Sequence, residues 1–577
     1  MRVEIIKKKK GDFKLPPNLL DYQKTYRSFV WNHAKNEIDW FENKTLNAAY
    51  NAVDRHSLGE RKNKVALYWE DEANNQEQYT FWQLTHLSNQ FANVLKKYQL
   101  QKGERVFVFL PRLPELYISF LGIIKSGGVA GTMFQAFGPQ GILDRLSIAG
   151  VKYLVTNREL SRRVYKVKNK LPHLRKIFIV DDKARYKKEI DFQKEMSQAA
   201  SHFEVAKMKP DDDCFMLFTS GTTGKPKGVV HDHLAILQEH MTAKWVLDIH
   251  DADIYWPTAD PGWVTGIAYG MLGSWSIGAS MVSYNGRFDP QKWYEILEKY
   301  EVSVWYTAPT AIRMLAKAGV DLAKRYDLSH LRHLASVGEP LNPEAIRFGL
   351  KAYGLPFHDN WWQTEIGGIC IANFPTLDIK MGSMGKPVPG IYATIVDDKG
   401  KELGPQKEGN LALKPNFPSL MHTIWRRPAK YQSYFQNGWY ISGDRAFRDK
   451  DGYFWFIGRA DDVIKTAGER VGPFEVESTL IEHPAVAEAG VIGKPDPERG
   501  EIIKAFCVLK PQFRPSEKLK KEISLFVKKN LAGHAYPREI EFVQSLPKTR
   551  SGKIMRRVLK AKELGLPLGD TSTLEEY

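Results

Sequence analysis

Short apolar runs alternate with amphipathic segments along most of this 577-residue chain, and this alternation constrains the fold more than any other feature. In the first part, Leu87, Phe91, Val94 and Leu95 recur at helical spacing, and residues 106–110 form an apolar run typical of a strand. Strands separated by helices favour parallel pairing, because the crossover helices cover the faces of the sheet. The sequence therefore predicts an α/β fold with mostly parallel sheets covered by helices.

The same patterns predict the bounds of individual elements and of two domains. Helices are predicted over residues 116–124, 234–247, 309–318, 343–353 and 516–530. Strands are predicted over residues 106–110, 151–155, 176–180, 214–218, 254–256, 302–306, 331–337, 392–396, 410–413, 453–457, 487–492 and 502–509. The shorter strands from about residue 390 predict a β-rich subdomain at about 390–460. We expect a large N-terminal domain over residues 1–460 and a small α+β C-terminal domain over residues 461–577.

A glycine-rich loop at residues 219–228 follows the apolar strand predicted at residues 214–218. Its glycines let the backbone approach a ligand closely, and its free N–H groups, hydroxyls and lysines suit a polyphosphate. It is not a Walker A loop, because Lys225 is followed by Pro226 rather than by serine or threonine. Taken alone, the loop is also compatible with a mobile surface segment.

Three more polar loops each follow an apolar strand, at residues 258–266, 338–340 and 359–365. Ligands of open α/β sheets bind at the carboxyl ends of the strands. We therefore expect these loops to share one cleft with the glycine-rich loop.

The net charge of +16, from 83 Lys and Arg against 67 Asp and Glu, raises the question of a polyanionic partner. The basic residues are scattered, and only residues 7–10 form a tight run. An enzyme that handles polyanionic small molecules explains the charge as well as a nucleic acid or a membrane does. We expect neither a nucleic-acid partner nor a membrane partner.

Cysteine usage and the N-terminus indicate the compartment. Cys214, Cys370 and Cys507 lie far apart without metal-ligand spacing, so a disulfide scaffold is not expected. The N-terminus has no apolar segment of the secretory kind, and Lys125 interrupts the most apolar stretch, residues 116–134. We expect that stretch to be a buried helix and strand, and the chain to be cytoplasmic.

Six motifs occur in a fixed order along the chain. They are the glycine-rich loop, Gly338-Glu339-Pro340, Trp362-Gln363-Thr364-Glu365, residues 440–444, residues 458–462 and the terminal segment that contains Lys553. In this order they resemble the adenylate-forming superfamily of acyl-CoA synthetases, adenylation domains and luciferases, over essentially the whole chain. Residues 46–50, residues 259–266 and the pair Trp361-Trp362 are similar to its acetate–CoA ligase branch, in a shorter bacterial form.

The resemblance implies two half-reactions. A carboxylate, acetate in this branch, first attacks the α-phosphate of ATP, which gives an acyl-AMP and pyrophosphate. The thiol of coenzyme A then displaces AMP. The substrates are therefore acetate, ATP with Mg²⁺, and coenzyme A, and the first step needs neutralised phosphates and an aligned attack.

The resemblance also assigns nucleotide-binding residues. Lys227 and the glycine-rich loop would hold the β- and γ-phosphates, Thr364 would contact the α-phosphate, and Glu365 would bind Mg²⁺ as a hard oxygen ligand. Asp444 would accept hydrogen bonds from the ribose hydroxyls. The implied ATP or AMP set is Thr219, Ser220, Gly221, Thr222, Thr223, Gly224, Lys225, Lys227, Gly338, Glu339, Pro340, Asp359, Asn360, Trp361, Trp362, Gln363, Thr364, Asp444, Arg459 and Arg470, with Thr223 also at the Mg²⁺.

Lys553 is implied as a catalytic residue, together with Thr364 and Glu365. Its ammonium would stabilise the charge that develops between the acid and the α-phosphate. A lysine on a basic, glycine-containing loop is ordinarily just exposed, and only the resemblance overrides that interpretation. The family also implies reversible acetylation of Lys553 by a lysine acetyltransferase and a deacetylase, which would remove the charge.

The implied acyl pocket consists of Val264, Thr265, Val337 and Trp362. A tryptophan at the end of this pocket would fill the space that a longer acid needs. Acetate is therefore favoured, and propionate is expected to be a poor substrate. Core packing is the alternative role for one of the adjacent tryptophans.

Residues of the second half-reaction are implied by the resemblance alone. Gly468 matches the glycine of the pantetheine tunnel, Arg145 the contact to the CoA nucleotide phosphate, and Asp461 the hinge of a rotating C-terminal domain. Ala467 and Glu469 depart from residues common in longer relatives. A second magnesium site is implied at Ile481, His483 and Val486.

Alternatives from other classes remain open. The chain could activate propionate or another short acid, or load a separate carrier-protein thiol. A luciferase-like oxygenase would share the scaffold, although a pocket closed by tryptophan disfavours a bulky luciferin. An RNA-binding or membrane-binding protein would suit the charge, but an aromatic–basic RNA motif and a basic amphipathic anchor are both missing from the sequence.

Overall fold

The framework of the protein consists of two large sheets, a smaller β-rich sheet and a C-terminal sheet, with helices on their faces. The computed structural model describes residues 3–9, 11, 13–219, 226–466, 469–549, 553–568 and 574, and only the backbone of Arg470. The α/β fold class predicted from the sequence alternation is confirmed.

The first large sheet, called sheet 1, has eight strands. In spatial order they are Thr423–Ile424, Lys227–Asp232, Asp213–Thr219, Val129–Thr132, Arg105–Phe109, Tyr153–Thr156, Lys176–Ile179 and Glu189–Asp191. The six strands from Asp213–Thr219 onward pair in parallel, and the other two pair antiparallel. The antiparallel strands Asp213–Thr219 and Lys227–Asp232 are the ones that flank the glycine-rich loop in the sequence.

The second large sheet, called sheet 2, has nine strands. In spatial order they are Lys386–Pro387, Ile371–Ala372, Phe357–Trp361, His333–Ser336, Val304–Thr307, Ile254–Pro257, Ser280–Asn285, Val65–Asp71 and Gln76–Thr80. Its central strands pair in parallel, and the strands at both margins pair antiparallel. The loops after the central strands therefore leave the sheet at one edge.

Two five-stranded sheets follow in the last third of the chain. The β-rich sheet is antiparallel and contains Ala393–Val396, Gly409–Leu413, Phe435–Gln436, Trp439–Arg448 and Phe454–Arg459. The C-terminal sheet contains Ile464–Thr466, Glu469–Val471, Val486–Asp496, Gly500–Leu509 and Glu539–Phe542. The C-terminal sheet has its own apolar core, which includes Val476, Val491 and Ile523.

The helices that cover the sheets begin and end close to the predicted positions. Those at Pro309–Ala318 and Pro343–Tyr353 match the prediction at both ends, because each begins at a proline and is followed by a glycine. The α-helices of four or more residues are Tyr22–Ser28, Phe81–Lys97, Pro114–Lys125, Pro139–Ala149, Arg158–Tyr165, Phe192–Gln198, Ala235–Trp245, Val264–Ile267, Gly273–Ile277, Pro290–Lys299, Pro309–Ala318, Val320–Ala323, Pro343–Tyr353, Pro428–Gln432, Pro473–Glu482, Glu517–Asn530 and Arg556–Leu564.

The apolar stretch at residues 116–134 lies inside the protein, as predicted. It comprises most of the helix Pro114–Lys125 and all of the strand Val129–Thr132, and every residue of that strand is buried. Within the residues that the structure describes, no helix combines the length and apolar character that crossing a bilayer would need. The three cysteines are buried and unpaired.

Lys125, the charge that interrupts this stretch, is fully buried at the end of its helix. Its Nζ lies 2.8 Å from Oδ2 of Asp54, 3.0 Å from Oδ1 of Asn89 and 3.2 Å from the carbonyl oxygen of Thr85. Burial lowers the pKa of Lys125, and Asp54 opposes that shift. The lysine is therefore compatible with the core because one carboxylate and two further oxygens surround it.

We expect the substitution Lys125→Ala to destabilise the protein by about 3–5 kcal/mol, because it leaves the Asp54 carboxylate buried without its cation. The free energy of unfolding in urea measures the effect. The double variant with Lys125→Met and Asp54→Asn, which removes both charges, should lose clearly less stability. An equal loss in the two variants would contradict the importance of the uncompensated charge.

Candidate active site

Polar loops from the two large sheets meet at one place. Sheet 2 contributes residues 362–365, which directly follow the strand Phe357–Trp361, and sheet 1 contributes Lys227 at the start of its hairpin strand. Nζ of Lys227 lies 2.7 Å from Oε1 of Glu365. The backbone N–H of Met421 donates to the carbonyl oxygen of Glu365 at 2.9 Å, so the segment before the sheet 1 strand Thr423–Ile424 reaches the same point.

The pair of Lys227 and Glu365 is largely withdrawn from solvent, with side chains that are 11% and 12% exposed. Burial tends to raise the pKa of Glu365, but the Lys227 ammonium outweighs it and holds that pKa below its usual value. Burial likewise tends to lower the pKa of Lys227, but Glu365 and Tyr434 raise it. Both groups are therefore charged at neutral pH.

Asp444 is a second polar centre, at the β-rich sheet. One of its carboxylate oxygens accepts a hydrogen bond from Nη1 of Arg459 at 2.8 Å. The other accepts from Nε1 of Trp361 at 2.8 Å and from Nε2 of Gln363 at 2.9 Å. Burial raises the pKa of Asp444, and Arg459 opposes this effect. One carboxylate thus joins two predicted nucleotide residues to the strand that precedes the C-terminal sheet.

The remaining residues predicted from the strand ends have different surroundings. Glu339 accepts from Oγ1 of Thr310 at 2.7 Å and pairs with Arg313 at 2.7 Å. Asn360 is buried and donates to the carbonyl oxygen of Ser336 at 2.9 Å. Oδ1 of Asp359 and Oγ1 of Thr219 are buried without a hydrogen-bond partner among the residues described. Thr219 ends its strand in sheet 1, whereas Asp359 lies within the strand Phe357–Trp361 of sheet 2.

Lys553 faces this region from the C-terminal part of the chain. A cavity between the two parts is lined by Arg313, Glu339, Pro340, Lys553 and Arg556, among others. Crowding by the surrounding protein, followed by the charge of Arg459, lowers the pKa of Lys553, while Asp444 raises it. The orientation seen here therefore brings the predicted catalytic lysine to the predicted nucleotide residues.

The predicted acyl-pocket residues lie in or next to one extensive apolar core. Val264 and Val337 belong to one buried apolar cluster, Trp362 packs against it, and Thr265 neighbours Val264 in a short helix. The Trp362 ring contacts Tyr269 edge-on at 5.1 Å between centroids and 84° between planes. Its neighbour Trp361 is 7% exposed and donates a hydrogen bond to Asp444, so the two tryptophans have different surroundings.

A buried tyrosine outside the predicted set holds Trp362 in place. Nε1 of Trp362 donates to the hydroxyl of Tyr306 at 3.3 Å, and this hydroxyl donates to Oδ1 of Asn360 at 2.9 Å. Tyr306 occupies a central strand of sheet 2, and in the sequence it is simply part of an apolar run. The pattern therefore gave no sign of this contact.

His231 is another residue that the sequence pattern did not single out. Its Nε2 lies 2.8 Å from the carbonyl oxygen of Thr364, and its Nδ1 lies 3.2 Å from that of Ser419. Burial lowers the pKa of His231 to about 4, so the ring is neutral at pH 7 and has a single N–H. We assign that proton to Nε2, at the shorter contact, where it fixes the turn that carries Glu365.

Other predicted positions lie apart from this centre or outside the described residues. Arg145 is 2% exposed and donates to the carbonyl oxygen of Gly141 at 2.9 Å, with its guanidinium 3.7 Å from the Phe137 ring centroid. In this structure Arg145 is therefore almost completely withdrawn from solvent. The predictions for Ser220, Gly221, Thr222, Thr223, Gly224, Lys225 and Gly468, and for the side chain of Arg470, lie outside the described part of the chain.

The predicted hinge and second metal site belong to the C-terminal part. Asp461 follows the strand Phe454–Arg459 and precedes Ile464–Thr466. His483 ends the helix Pro473–Glu482, and its Nδ1 accepts from the N–H of Ala485 at 3.2 Å. Its Nε2 lies 3.7 Å from Oε1 of Glu522.

Comparisons with known proteins identify relatives over the full length of the chain. The family model for AMP-binding enzymes matches residues 54–425, and the model for the C-terminal domain of AMP-binding enzymes matches residues 475–553. The acetyl-coenzyme A synthetase of Bacillus subtilis is 55% identical over 97% of this chain and 98% of its own length. That of Methanothrix thermoacetophila is 42% identical over 96% of this chain and 88% of its own length.

Two solved structures share the fold. The structure of an anthranilate CoA ligase in complex with anthranoyl-AMP superposes with a TM-score of 0.84 at 32% identity, and covers 90% of this chain and 98% of its own. An acyl-CoA synthetase from Brucella canis superposes with a TM-score of 0.74 at 36% identity, over 94% and 99% of the two chains.

The turn that carries Glu365 depends on Gly367, which generates a testable prediction. Gly367 has φ +64°, and a Cβ there would lie 2.3 Å from the carbonyl oxygen of Ser419 and 2.7 Å from Cε1 of His231. Gly354, with φ +69°, has open space at the same position. We expect Gly354→Ala to cost about 1–2 kcal/mol from its left-handed backbone alone. Gly367→Ala should cost about 1–3 kcal/mol more, because backbone and ring must move.

Unfolding in urea of both glycine variants measures these two costs. Gly354→Ala serves as the matched control for the effect of φ. Equal losses of stability would show that the contacts with Ser419 and His231 impose no constraint on the turn.

Proposed function

This chain belongs to the AMP-binding enzyme family, and from that premise we propose that it is an ATP-dependent acetate–CoA ligase. Acetate and ATP give acetyl-AMP and pyrophosphate, and coenzyme A then gives acetyl-CoA and AMP. Two observations support adenylate formation: Lys227 contacts Glu365, and Lys553 lines a cavity with Glu339 and Pro340 and interacts electrostatically with Asp444. The tryptophan wall at Trp362 supports a two-carbon acid.

In the first half-reaction a carboxylate oxygen of acetate bonds to the α-phosphorus of ATP, and the bond to the pyrophosphate oxygen breaks with its electron pair. Lys227 and the loop at residues 219–225 would hold the departing β- and γ-phosphates, and Thr364 would contact the α-phosphate. The cationic Lys227 stabilises the negative charge that grows on the leaving group.

Magnesium would enter as the MgATP substrate. Within the described residues, no group of three or more His, Cys, Asp and Glu is arranged to hold a metal. Mg²⁺ is commonly bound through one or two carboxylates together with substrate phosphates, and the single carboxylate of Glu365 fits that coordination pattern. Thr223 remains the second proposed contact. A separate Mg²⁺ in the C-terminal domain would use His483 with main-chain oxygens at Ile481 and Val486.

The nucleoside would lie along the strand ends of sheet 2. Gly338, Glu339, Pro340 and residues 359–363 would line the adenine, and Asp444 would accept from the ribose hydroxyls. Each oxygen of a carboxylate can accept more than one hydrogen bond, so the contacts of Asp444 to Trp361, Gln363 and Arg459 leave capacity for ribose. Arg459 and Arg470 would reach ribose or phosphate oxygens.

The second half-reaction would use another orientation of residues 461–577. The sulfur of coenzyme A attacks the acetyl carbon, loses its proton, and displaces AMP with the electron pair of the C–O bond. Rotation about Asp461 would withdraw Lys553 and bring Gly468 to the pantetheine arm, while Arg145 would meet the CoA nucleotide. A reducing cytoplasm suits the three buried, unpaired cysteines.

The acid specificity tests the proposed function directly. AMP release with ATP, Mg²⁺ and coenzyme A should be fastest with acetate across a series from formate to octanoate. In Trp362→Gly, kcat/KM for butyrate should rise at least about tenfold relative to acetate, because each accommodated methylene contributes a factor of about 10–200. Trp362→Phe, which keeps a large ring, should retain most of the preference for acetate.

An unchanged chain-length profile in Trp362→Gly would exclude Trp362 as the size limit. Higher activity with propionate than with acetate in the unmodified protein would favour another short-acid ligase. Transfer of the acyl group to a carrier-protein thiol in preference to free coenzyme A would favour the carrier-loading alternative.

The role of Lys553 separates the two half-reactions. Lys553→Ala should lower acetate-dependent exchange of pyrophosphate into ATP by at least about 10²–10³-fold, the effect of losing a preorganised electrostatic contact. Thioester formation from supplied acetyl-AMP and coenzyme A should be largely spared. Protein homogeneously acetylated at Lys553 should behave in the same way, since acetylation removes the charge that an acetyltransferase and a deacetylase would control.

Lys529→Ala, an exposed lysine at the end of the helix Glu517–Asn530, is the matched control and should leave both half-reactions unchanged. Equal losses in both half-reactions of Lys553→Ala would contradict a role confined to adenylate formation.

A further inference from the structure

Tyr434 contacts both members of the ion pair that joins the two large sheets. It lies between the helix Pro428–Gln432 and the strand Phe435–Gln436, and its side chain is half-buried. Its hydroxyl accepts a hydrogen bond from Nζ of Lys227 and donates one to Oε1 of Glu365 at 3.2 Å. Nζ of Lys227 also lies 4.9 Å from the centroid of the Tyr434 ring. The Tyr434 side chain therefore contacts the Lys227 ammonium with both its hydroxyl and its ring, and it contacts the Glu365 carboxylate with its hydroxyl.

The other face of Tyr434 leads towards Asp444. Its ring stacks on Tyr440 at 5.8 Å between centroids and 3° between planes. The hydroxyl of Tyr440 donates to Oε1 of Gln363 at 3.0 Å, and Nε2 of Gln363 donates to Asp444 at 2.9 Å. Tyr434 and Tyr440 thus form one end of a continuous path of contacts from Lys227 to the carboxylate of Asp444.

The charges of Lys227 and Glu365 neutralise each other in this structure. To bind MgATP, the lysine must turn to phosphate oxygens and the carboxylate must turn to the metal ion, so both lose the partner they have here. A hydroxyl can donate to a carboxylate and accept from an ammonium. A phenylalanine ring can do neither, although it keeps the stacking and the cation–π contact.

We infer that Tyr434 is a positioning residue for MgATP. It keeps Lys227 and Glu365 aligned when the lysine turns from the carboxylate to phosphate and the carboxylate turns from the lysine to Mg²⁺. This inference rests on the proposed function, because that function supplies MgATP as the ligand. A purely structural tyrosine would act through its ring alone. Removal of the hydroxyl therefore distinguishes a positioning role from a purely structural one.

Tyr434→Phe tests the inference through the affinity for MgATP, measured by calorimetry without acetate and without coenzyme A. We expect binding to weaken about tenfold, the factor for one hydrogen bond to a charged group, and half-saturation by Mg²⁺ to rise in the exchange assay. KM for acetate and the thermal midpoint should stay unchanged. Tyr431→Phe is the matched control, because Tyr431 is also half-buried and its ring packs against Phe435, with the centroids 5.0 Å apart and the planes tilted by 57°.

A double-mutant cycle with Lys227→Met distinguishes an effect through the ion pair from a general loss of structure. If Tyr434 acts through Lys227 and Glu365, adding Tyr434→Phe to Lys227→Met should weaken MgATP binding much less than about tenfold. This comparison also holds if Tyr434→Phe lowers the thermal midpoint. Unchanged MgATP affinity in Tyr434→Phe, or losses that multiply fully in the double variant, would overturn the inference.

The same measurements separate this inference from the proposed function. Unmodified protein that binds MgATP but does not turn over acetate would refute the acetate–CoA ligase proposal and leave the role of Tyr434 supported by the binding data. Unmodified protein that does not bind MgATP would overturn both.

Discussion

The ion pair of Lys227 and Glu365 is the contact on which the arrangement of the candidate site depends. Lys227 begins a strand of sheet 1 and Glu365 follows a strand of sheet 2, so their 2.7 Å contact fixes the relative position of two separate sheet edges. A pair that is nearly withdrawn from solvent is costly to break by removing one partner. The pair therefore aligns the two edges in this structure, and under the proposed function its two charges would turn to a polyphosphate and a metal ion.

The supports of this pair come from three different parts of the chain. His231 holds the Thr364 carbonyl from sheet 1, Gly367 permits the turn, and Tyr434 contacts both charges from the approach to the β-rich sheet. Such redundancy limits the ways in which the Glu365 carboxylate can move. A ligand that competes for it must match a geometry already set by neutral groups, which suits electrostatic preorganisation.

Asp444 likewise connects separate parts of the chain, and its contacts reach the strand before the C-terminal sheet. Its carboxylate holds Trp361 in the core, Gln363 in the cleft and Arg459 next to the predicted hinge. Crowding by the surrounding protein, and after it the charge of Arg459, lowers the pKa of Lys553, so the charges of the arginine and the lysine interact. Arg459 therefore interacts both with the carboxylate of Asp444 and with the predicted catalytic lysine.

The sequence by itself determined the elements and the positions of the polar loops. The helices Pro309–Ala318 and Pro343–Tyr353, and the strand before the glycine-rich loop, follow from local periodicity, proline and glycine. The prediction of a loop at residues 359–365 was wrong at its start, because residues 359–361 belong to the buried strand Phe357–Trp361. Only the tertiary structure decided which side chains meet. Tyr306, His231 and Tyr434 carry no local pattern, because their partners come from other strands and loops. Arg145 is a charged residue whose burial could not be predicted from the sequence. Its guanidinium packs on the ring of Phe137 and donates to the carbonyl oxygen of Gly141, and both contacts depend on the folded structure. Periodicity is a property of neighbours in the chain, whereas hydrogen bonds and ion pairs between loops depend on how two sheets pack.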